Sequence, residues 1–321
     1  MKAVVGTEYG SPDDLELQEI DKPVVDGDGV LVRVRATSVN PLDWHFMRGL
    51  PYFVRLTAGL RRPKRSVPGV DVAGHVEAVG ENVTQFQPGD EVFGSRGGAF
   101  AEYVCGGERN FVAKPVGLTF EQAAAVPGAG CTALQALRDR GQIQPGQRVL
   151  INGAAGGVGT FAVQIAKAFG ADVTGVCSTR NVDMVRSIGA DQVIDYTRED
   201  FTRVGQRYDL ILDAVGNRSL SDFRRALTPK GTLVLVGGGS GRLLGPLALP
   251  LRALVVSPFV GQRLLPFLAK VSKEDLVVLK ELIEAGKVTP VIDRTYPLSE
   301  APEAIRYLEA GHAQGKVVIT A

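Results

Sequence analysis

The sequence predicts an α/β protein of two domains, one built on a β-sheet and the other on a doubly wound parallel sheet. Three observations carry this. The chain has 321 residues, more than one hydrophobic core usually fills. Its texture changes after Thr119, from short strand-like runs to apolar strands alternating with amphipathic helices. A glycine-rich turn, Gly153 to Gly159, joins a buried strand directly to a helix.

Composition narrows the function classes. With 45% hydrophobic and 22% charged residues, an ordinary soluble core is expected. Lys and Arg total 36 against 35 Asp and Glu, so no global field gathers nucleic acid or an anionic membrane. Cys105, Cys131 and Cys177 are an odd number without CxxC spacing, which argues against a disulfide framework and a cysteine zinc cage. The longest uncharged run, Val149 to Ala166, is too polar and glycine-broken to span a bilayer. A reducing, cytoplasmic location is expected.

Each element follows in order. MKAVVGTEYG reads as a strand, because Glu8 arrives before any apolar stretch long enough for a signal peptide. In GVLVRVRA (29–36), Val30, Val32 and Val34 alternate with Leu31, Arg33 and Arg35, the pattern of a half-buried antiparallel sheet. Thr119 followed by Gln122 is a capping box opening an alanine-rich helix, and the domain boundary is placed there. The second domain then runs strand Arg148 to Asn152, helix Val158 to Phe169, strand Asp172 to Cys177, helix Val182 to Ile188 and strand Gln192 to Ile194. Leu210 to Ala214 and Thr232 to Val236 repeat the rhythm. The apolar stretch from Gly237 to Lys270 is read as core plus an edge strand, Leu254 to Val260, with a membrane-contact role as the alternative. The tail holds a strand after Thr289, a helix from Ser299 to Ala310 and a last strand from Lys316 to Thr320, which could return to the first domain.

The chemistry is written most sharply at the turn. Ala154, Gly156 and Gly159 fill the slots of a GxGxxG-like pattern, with Gly157 beside them. Strand before, helix after and a second strand about 20 residues on make this a dinucleotide pyrophosphate site. That second strand ends in Ser178, Thr179 and Arg180, where an NAD enzyme places an acid on the ribose hydroxyls. Hydroxyls and a guanidinium accept a 2′-phosphate instead, so the expected cofactor is NADPH. Tyr196 either caps the adenosine side or is a half-buried strand-end tyrosine.

SVNPLDW (38–44), VPGVDVAGHVEAVG (67–80), PGDEVFG (88–94), GGAFAEYV (97–104), GAAGGVG (153–159) and GKVVIT (315–320) together resemble the medium-chain dehydrogenase/reductase superfamily. More narrowly, the chain is similar to the zinc-independent quinone oxidoreductase branch. The resemblance implies a GroES-like catalytic domain from residues 1–121 and 291–321, with a Rossmann NADPH-binding domain from 122–290 between them. Zinc-dependent relatives carry a Cys ligand within the segment matching SVNPLDW and a GHE motif where this chain has Gly69, Val70 and Asp71, so no metal is expected. Asn40 is implied near the nicotinamide and its ribose. Asp43, Trp44 and Tyr52 are implied on the substrate side of a cleft between the domains. Tyr52 is either a proton donor or an exposed loop tyrosine, with solvent as the alternative acid. Cofactor contacts are implied for Thr132, Ala155, Gly156, Gly157, Val158, Gly216, Asn217, Val236, Gly237, Gly238, Phe259 and Val260. Lys316 either reaches the cofactor or closes a strand.

The implied function is NADPH-dependent hydride transfer to small hydrophobic quinones or to the C=C bond of α,β-unsaturated carbonyls, by a homodimer. The alternatives are a metal-free alcohol or carbonyl oxidoreductase and a non-enzymatic NADPH-binding sensor. The segment Pro51 to Gly69, carrying Arg55, Arg61, Arg62, Lys64 and Arg65, is either a solvated loop or a flap that attracts an anionic substrate or a membrane surface.

Overall fold

The computed structural model describes residues 1–237 and 245–321, the backbone alone at residues 245–247, and these form two compact units. The first comprises Met1–Cys131, Val271–Glu284 and Pro290–Ala321. The second comprises Thr132–Lys270 and Ala285–Thr289.

The chain begins with β1 (Lys2–Val5) and β2 (Glu16–Glu19), which pair as an antiparallel ribbon. It continues through β3 (Gly29–Val39), β4 (Asp71–Val79), β5 (Glu91–Ser95), β6 (Tyr103–Gly107) and β7 (Phe111–Ala113). In β3 the alternation holds from Val32 to Arg35, with Val30, Val32 and Val34 buried and Arg33 and Arg35 exposed, but Leu31 on the second face is buried as well. Those valines pack with Val72, Val76, Val92, Val104 and Phe111 into one core. At 1.5 to 3 kcal/mol for each fully buried large aliphatic, a cluster of this kind contributes on the order of 10 kcal/mol before chain entropy is counted.

The second unit holds β8 (Arg148–Asn152), β9 (Asp172–Cys177), β10 (Gln192–Asp195), β11 (Tyr208–Asp213), β12 (Leu227–Leu235) and β13 (Arg263–Pro266). All pair in parallel, in the order β10-β9-β8-β11-β12-β13. This is the doubly wound order that reverses direction beside its first strand, here between β8 and β11, and leaves a ligand crevice at the carboxyl ends there.

The tail supplies β14 (Ile292–Pro297) and β15 (Lys316–Thr320) to the first unit. Its seven-stranded sheet runs β14-β15-β3-β4-β5-β7, with β6 also paired to β3. Val39 faces Val317 across the β3–β15 ladder, and Ala36 faces Ala73 across β3–β4. This register brings Ser38, Asn40, Asp71 and Lys316 to one end of the sheet.

The structure differs from the sequence reading in two places. Leu254 to Val260 is not an edge strand: Gly245–Val256 is a helix, Ser257–Phe259 a 3-10 turn, and the outer strand is β13. An apolar run of this length has no period that separates buried helix from strand. The helix buries Ala253 and packs Leu249 and Val256 on the core of the parallel sheet. The division between units also falls elsewhere than at 121/122 and 290/291. Residues 122–131 and the helix Lys273–Glu284 group with the first unit. Glu284 accepts a hydrogen bond from the Val116 N–H, and Lys280 and Lys273 donate to the carbonyls of Ala113 and Glu108.

Candidate active site

In the first unit the site is a buried polar cluster. Asn40 ends the extended β3 segment and caps the helix Pro41–Arg48, with Pro41 at the first helical position, where no N–H is missed. The Asn40 backbone N–H donates to Asp43 Oδ2 at 2.7 Å, which fixes the turn. Asn40 Nδ2 donates to Asp71 Oδ2 at 2.8 Å, and Asn40 Oδ1 accepts from Lys316 Nζ at 2.7 Å. Asp71 Oδ2 also accepts from Ser38 Oγ at 2.8 Å, and its Oδ1 accepts from the Gly128 N–H at 2.9 Å. Lys316 Nζ also donates to the Val39 carbonyl at 3.3 Å and stands 3.7 Å from Asp71 Oδ2. Asp71 is 0% exposed, Asp43 2%, Lys316 3% and Asn40 8%. Residue 128 must be small: a Cβ on Gly128 would lie 3.0 Å from Asn40 Oδ1 and 3.1 Å from Asp71 Oδ2.

Burial sets the electrostatics. Loss of hydration pushes the Asp43 carboxyl up to about 7; the nearby Asp71 charge adds to this, while the Asn40 and Gly69 backbone N–H groups and the Lys316 charge oppose it. Burial likewise lowers the Lys316 ammonium, and the Asp71 and Asp43 carboxylates hold it up. Asp43 thus sits buried behind Asn40, whose backbone N–H it holds. Trp44 packs on the core that Val317 and Ile319 line, its ring centroid 3.6 Å from that of His45. Tyr52 is 50% exposed, with the Arg55 guanidinium 5.1 Å from its ring centroid.

In the second unit the strand–turn–helix forms as the sequence predicts. Gly153 adopts φ 87°, and the helix Gly157–Ala168 starts behind Gly156, whose capping position offers no side-chain hydrogen bond. Its first N–H groups therefore face outward for an anionic acceptor. A Cβ on Gly159 would fall 2.0 Å from the Gly153 carbonyl oxygen, so only glycine lets helix and turn meet. On Gly156 a Cβ would meet nothing nearer than 3.5 Å, which leaves an open approach to the turn. These residues fit a dinucleotide pyrophosphate: an uncapped helix start behind open backbone.

At the end of β9, Thr179 Oγ1 donates to Asp195 Oδ2 at 2.6 Å, and Thr197 Oγ1 donates to Asp195 Oδ1 at 2.7 Å. The Thr179 hydroxyl, expected at a 2′-phosphate, thus donates to a carboxylate here. Ser178 Oγ accepts from Asn181 Nδ2 at 3.2 Å and keeps its own proton, and Arg180 sits in the same 3-10 turn as Thr179. Hydrogen bonds from Thr179 and Thr197, with Arg198 nearby, hold the Asp195 carboxyl below its usual range. Tyr196, one residue beyond β10, is 50% exposed.

At the switch point, Asp213 is wholly buried and raised by desolvation. It accepts from Asn152 Nδ2 at 2.8 Å and from the Val215 and Gly216 N–H groups at 3.1 Å. Asn152 Nδ2 also reaches Asn217 Oδ1 at 3.1 Å. The Val236 and Gly237 N–H groups donate to the Asp213 carbonyl, so Asp213 ties the loops after β11 and β12 together. Thr132 lies in the helix Pro127–Gln135, and Phe259 ends its 3-10 turn 85% exposed, with Val260 against the sheet core. Gly238 lies outside the described residues. Sequence reasoning missed Ser38, Asp71, Gly128, Asn152, Asp195 and Asp213 as site organisers. The available signal was an acid inside an apolar strand, as in VPGVDVAG, LILDAV and QVIDY, since a buried charge needs several partners.

Two family models match the chain: an alcohol dehydrogenase GroES-like domain over residues 26–135 and a zinc-binding dehydrogenase domain over 188–319. The chain is 33% identical to the chloroplast envelope quinone oxidoreductase homolog of Arabidopsis thaliana, covering 95% of this chain and 93% of that one. It is 35% identical to an NADPH-dependent alkenal/one oxidoreductase of the same plant, a chloroplastic protein, covering 99% and 79%. The solved quinone oxidoreductase from Coxiella burnetii superposes with a TM-score of 0.87 at 33% identity, covering 100% and 99%. Fold and site thus define a dinucleotide-dependent oxidoreductase of two-domain type. The chain belongs to the medium-chain dehydrogenase/reductase superfamily, in its quinone oxidoreductase branch. Among the described residues no group of three or more His, Cys, Asp and Glu gathers to hold a metal ion, and no helix is long and apolar enough to cross a membrane.

Proposed function

We propose that the protein is an NADPH-dependent reductase that transfers hydride, without a metal ion, to quinones or to the C=C bond of α,β-unsaturated carbonyls. The observation that carries this reading is the end of β9, where Ser178 and Arg180 stand in place of the acid that would repel a 2′-phosphate. The printed activity of the alkenal/one oxidoreductase supports both cofactor and substrate class. Bound NADPH supplies the hydride. Backbone N–H groups of Ala155, Gly156, Gly157 and Val158 hold its pyrophosphate, Ser178 and Arg180 its 2′-phosphate, and Tyr196 flanks the adenosine. Gly216, Asn217, Val236 and Gly237 border the crevice, with Asn40, Thr132, Phe259 and Val260 assigned to the nicotinamide end.

An activated alkene or quinone needs less polarisation than a plain ketone, so one or two hydrogen-bond donors replace a Lewis acid. Asn40 and Val70 stand where zinc-dependent relatives need ligands, and the cation beside Asp71 is the Lys316 ammonium. The proton comes from solvent or from Tyr52. The working form is a homodimer joined along β13, the outer strand, near the exposed Leu254, Val255 and Phe259. Three free thiols suit a reducing cytoplasm. The test is NADPH consumption over a panel of quinones, enals, enones and alcohols. Turnover confined to alcohols and plain ketones would move the assignment to a carbonyl oxidoreductase, and binding without any turnover to a sensor.

A further inference from the structure

The Lys316 ammonium is buried at considerable cost in hydration. Its surroundings say what it does. A primary amide such as Asn40 has two orientations half a turn apart, which exchange the N–H2 and carbonyl ends. Each neighbour of Asn40 allows one of them. Lys316 Nζ only donates, so the atom 2.7 Å from it is Oδ1. Asp71 Oδ2, at 2.8 Å, and the Ser38 carbonyl, at 3.4 Å, only accept, so the other end is Nδ2. Both amide protons therefore point into the cluster, while Oδ1 retains a second lone pair.

We propose that Lys316 is a positioning residue: with Asp71 at the opposite end, it locks the Asn40 amide in the orientation that offers the bound ligand an acceptor and not a donor. The inference rests on the reductase reading, which places Asn40 beside the nicotinamide ribose. An acceptor there receives a hydroxyl proton of the ribose and gives no hydrogen bond to an oxyanion on the substrate. The donor for that oxyanion lies elsewhere.

The groups facing Asp43 provide an independent readout. They are Asp71 from β4, Lys316 from β15, and the backbone N–H groups of Asn40 and Gly69. Removing the Lys316 cation moves Asp43 titration up, and removing the Asp71 anion moves it down. A packing role for either residue would not produce opposite signs.

The experiment compares the full-length wild type with Lys316→Met, Asp71→Asn and the double variant, which keeps the pair neutral if the single change fails to fold. Measured are kcat and KM with an enone, NADPH Kd by fluorescence, the acid limb of the pH profile, and hydrogen exchange of the Asn40 side-chain amide by NMR. Expected are a fall in kcat of at least tenfold in Lys316→Met and the double variant, a weakened NADPH Kd in the same variants because the ribose hydroxyl loses its fixed acceptor, faster amide exchange, and acid limbs displaced in opposite directions in the two single variants. Wild-type kcat and NADPH Kd in the double variant, or unchanged amide protection, would overturn the proposal. If the wild type turns over no quinone or enone, the reductase reading fails, and amide exchange alone decides whether Lys316 holds Asn40.

Discussion

On the proposed reading Arg180 and Ser178 recognise the 2′-phosphate, beside a Thr179 hydroxyl that donates to Asp195. A charge-assisted contact contributes about 1.5 to 3 kcal/mol, a factor of ten or more in affinity. Arg180→Ala is therefore expected to weaken NADPH binding about tenfold and leave NADH binding unchanged, as measured by fluorescence titration. Equal losses for both cofactors would remove Arg180 from the phosphate site. Asp43 gives a pH-dependent expectation. Its carboxyl is raised from 3.8 to about 7 in the folded chain. Between about pH 4 and 7 the unfolded chain has released a proton that the folded chain keeps, so the contribution of this group to stability falls as pH rises through that window and levels off above it. Asp43→Asn carries no such proton and should gain on the wild type across the window, on the order of a few kcal/mol in total. A stability difference that stays flat between pH 4 and 8 in thermal melts would contradict the raised value.

At the scale of elements, the helix start behind Gly156 and the packing of Gly159 on the turn make one rigid cradle. Gly159→Ala places a methyl group 2.0 Å from the Gly153 carbonyl oxygen, so the turn must move. Loss of NADPH binding by more than tenfold is expected, with a lowered Tm; near-normal affinity would show that the turn can yield. This cradle was legible in the sequence because all its parts lie within about a dozen consecutive residues. The Asn40 cluster was only half legible. Asp71 and Lys316 meet Asn40 through the register of β4 and β15, 31 and 276 residues away, and no local pattern carries a register. The outer strand was misplaced for the opposite reason: Leu254 to Val260 is apolar in every direction, so periodicity had nothing to report. The segment from Pro51 to Arg65 was visible only as charge. It contains the short helical turns Tyr52–Val54 and Arg55–Ala58 and exposes Leu56 and Leu60 beside Arg61 and Arg62. Shortening it is expected to change KM for hydrophobic enones while leaving NADPH Kd within threefold, because the phosphate-binding residues belong to the other unit. An unchanged substrate profile would leave it a solvated loop.

At the scale of the whole molecule, two expectations concern assembly and metal. Light scattering at micromolar concentration should give twice the mass of one chain, and replacing Leu254 and Val255 by Asp should halve it. A dimer mass unchanged by those replacements would place the interface elsewhere. Exhaustive chelation should leave turnover intact, and elemental analysis of the active protein should find no stoichiometric zinc.

The position of Lys316 at the start of β15, the last strand of the chain, also sets an order of events in folding. The second unit draws on residues 132–289, nearly one continuous stretch, and its parallel strands can pair as soon as that stretch is available. The first unit cannot close until a strand more than 270 residues after Asn40 docks against β3, and a loop of that length closes slowly. Refolding from denaturant should therefore recover NADPH binding before it recovers turnover. During that interval Asn40 has no ammonium to hold it, so a partly folded chain can bind the reductant without spending it.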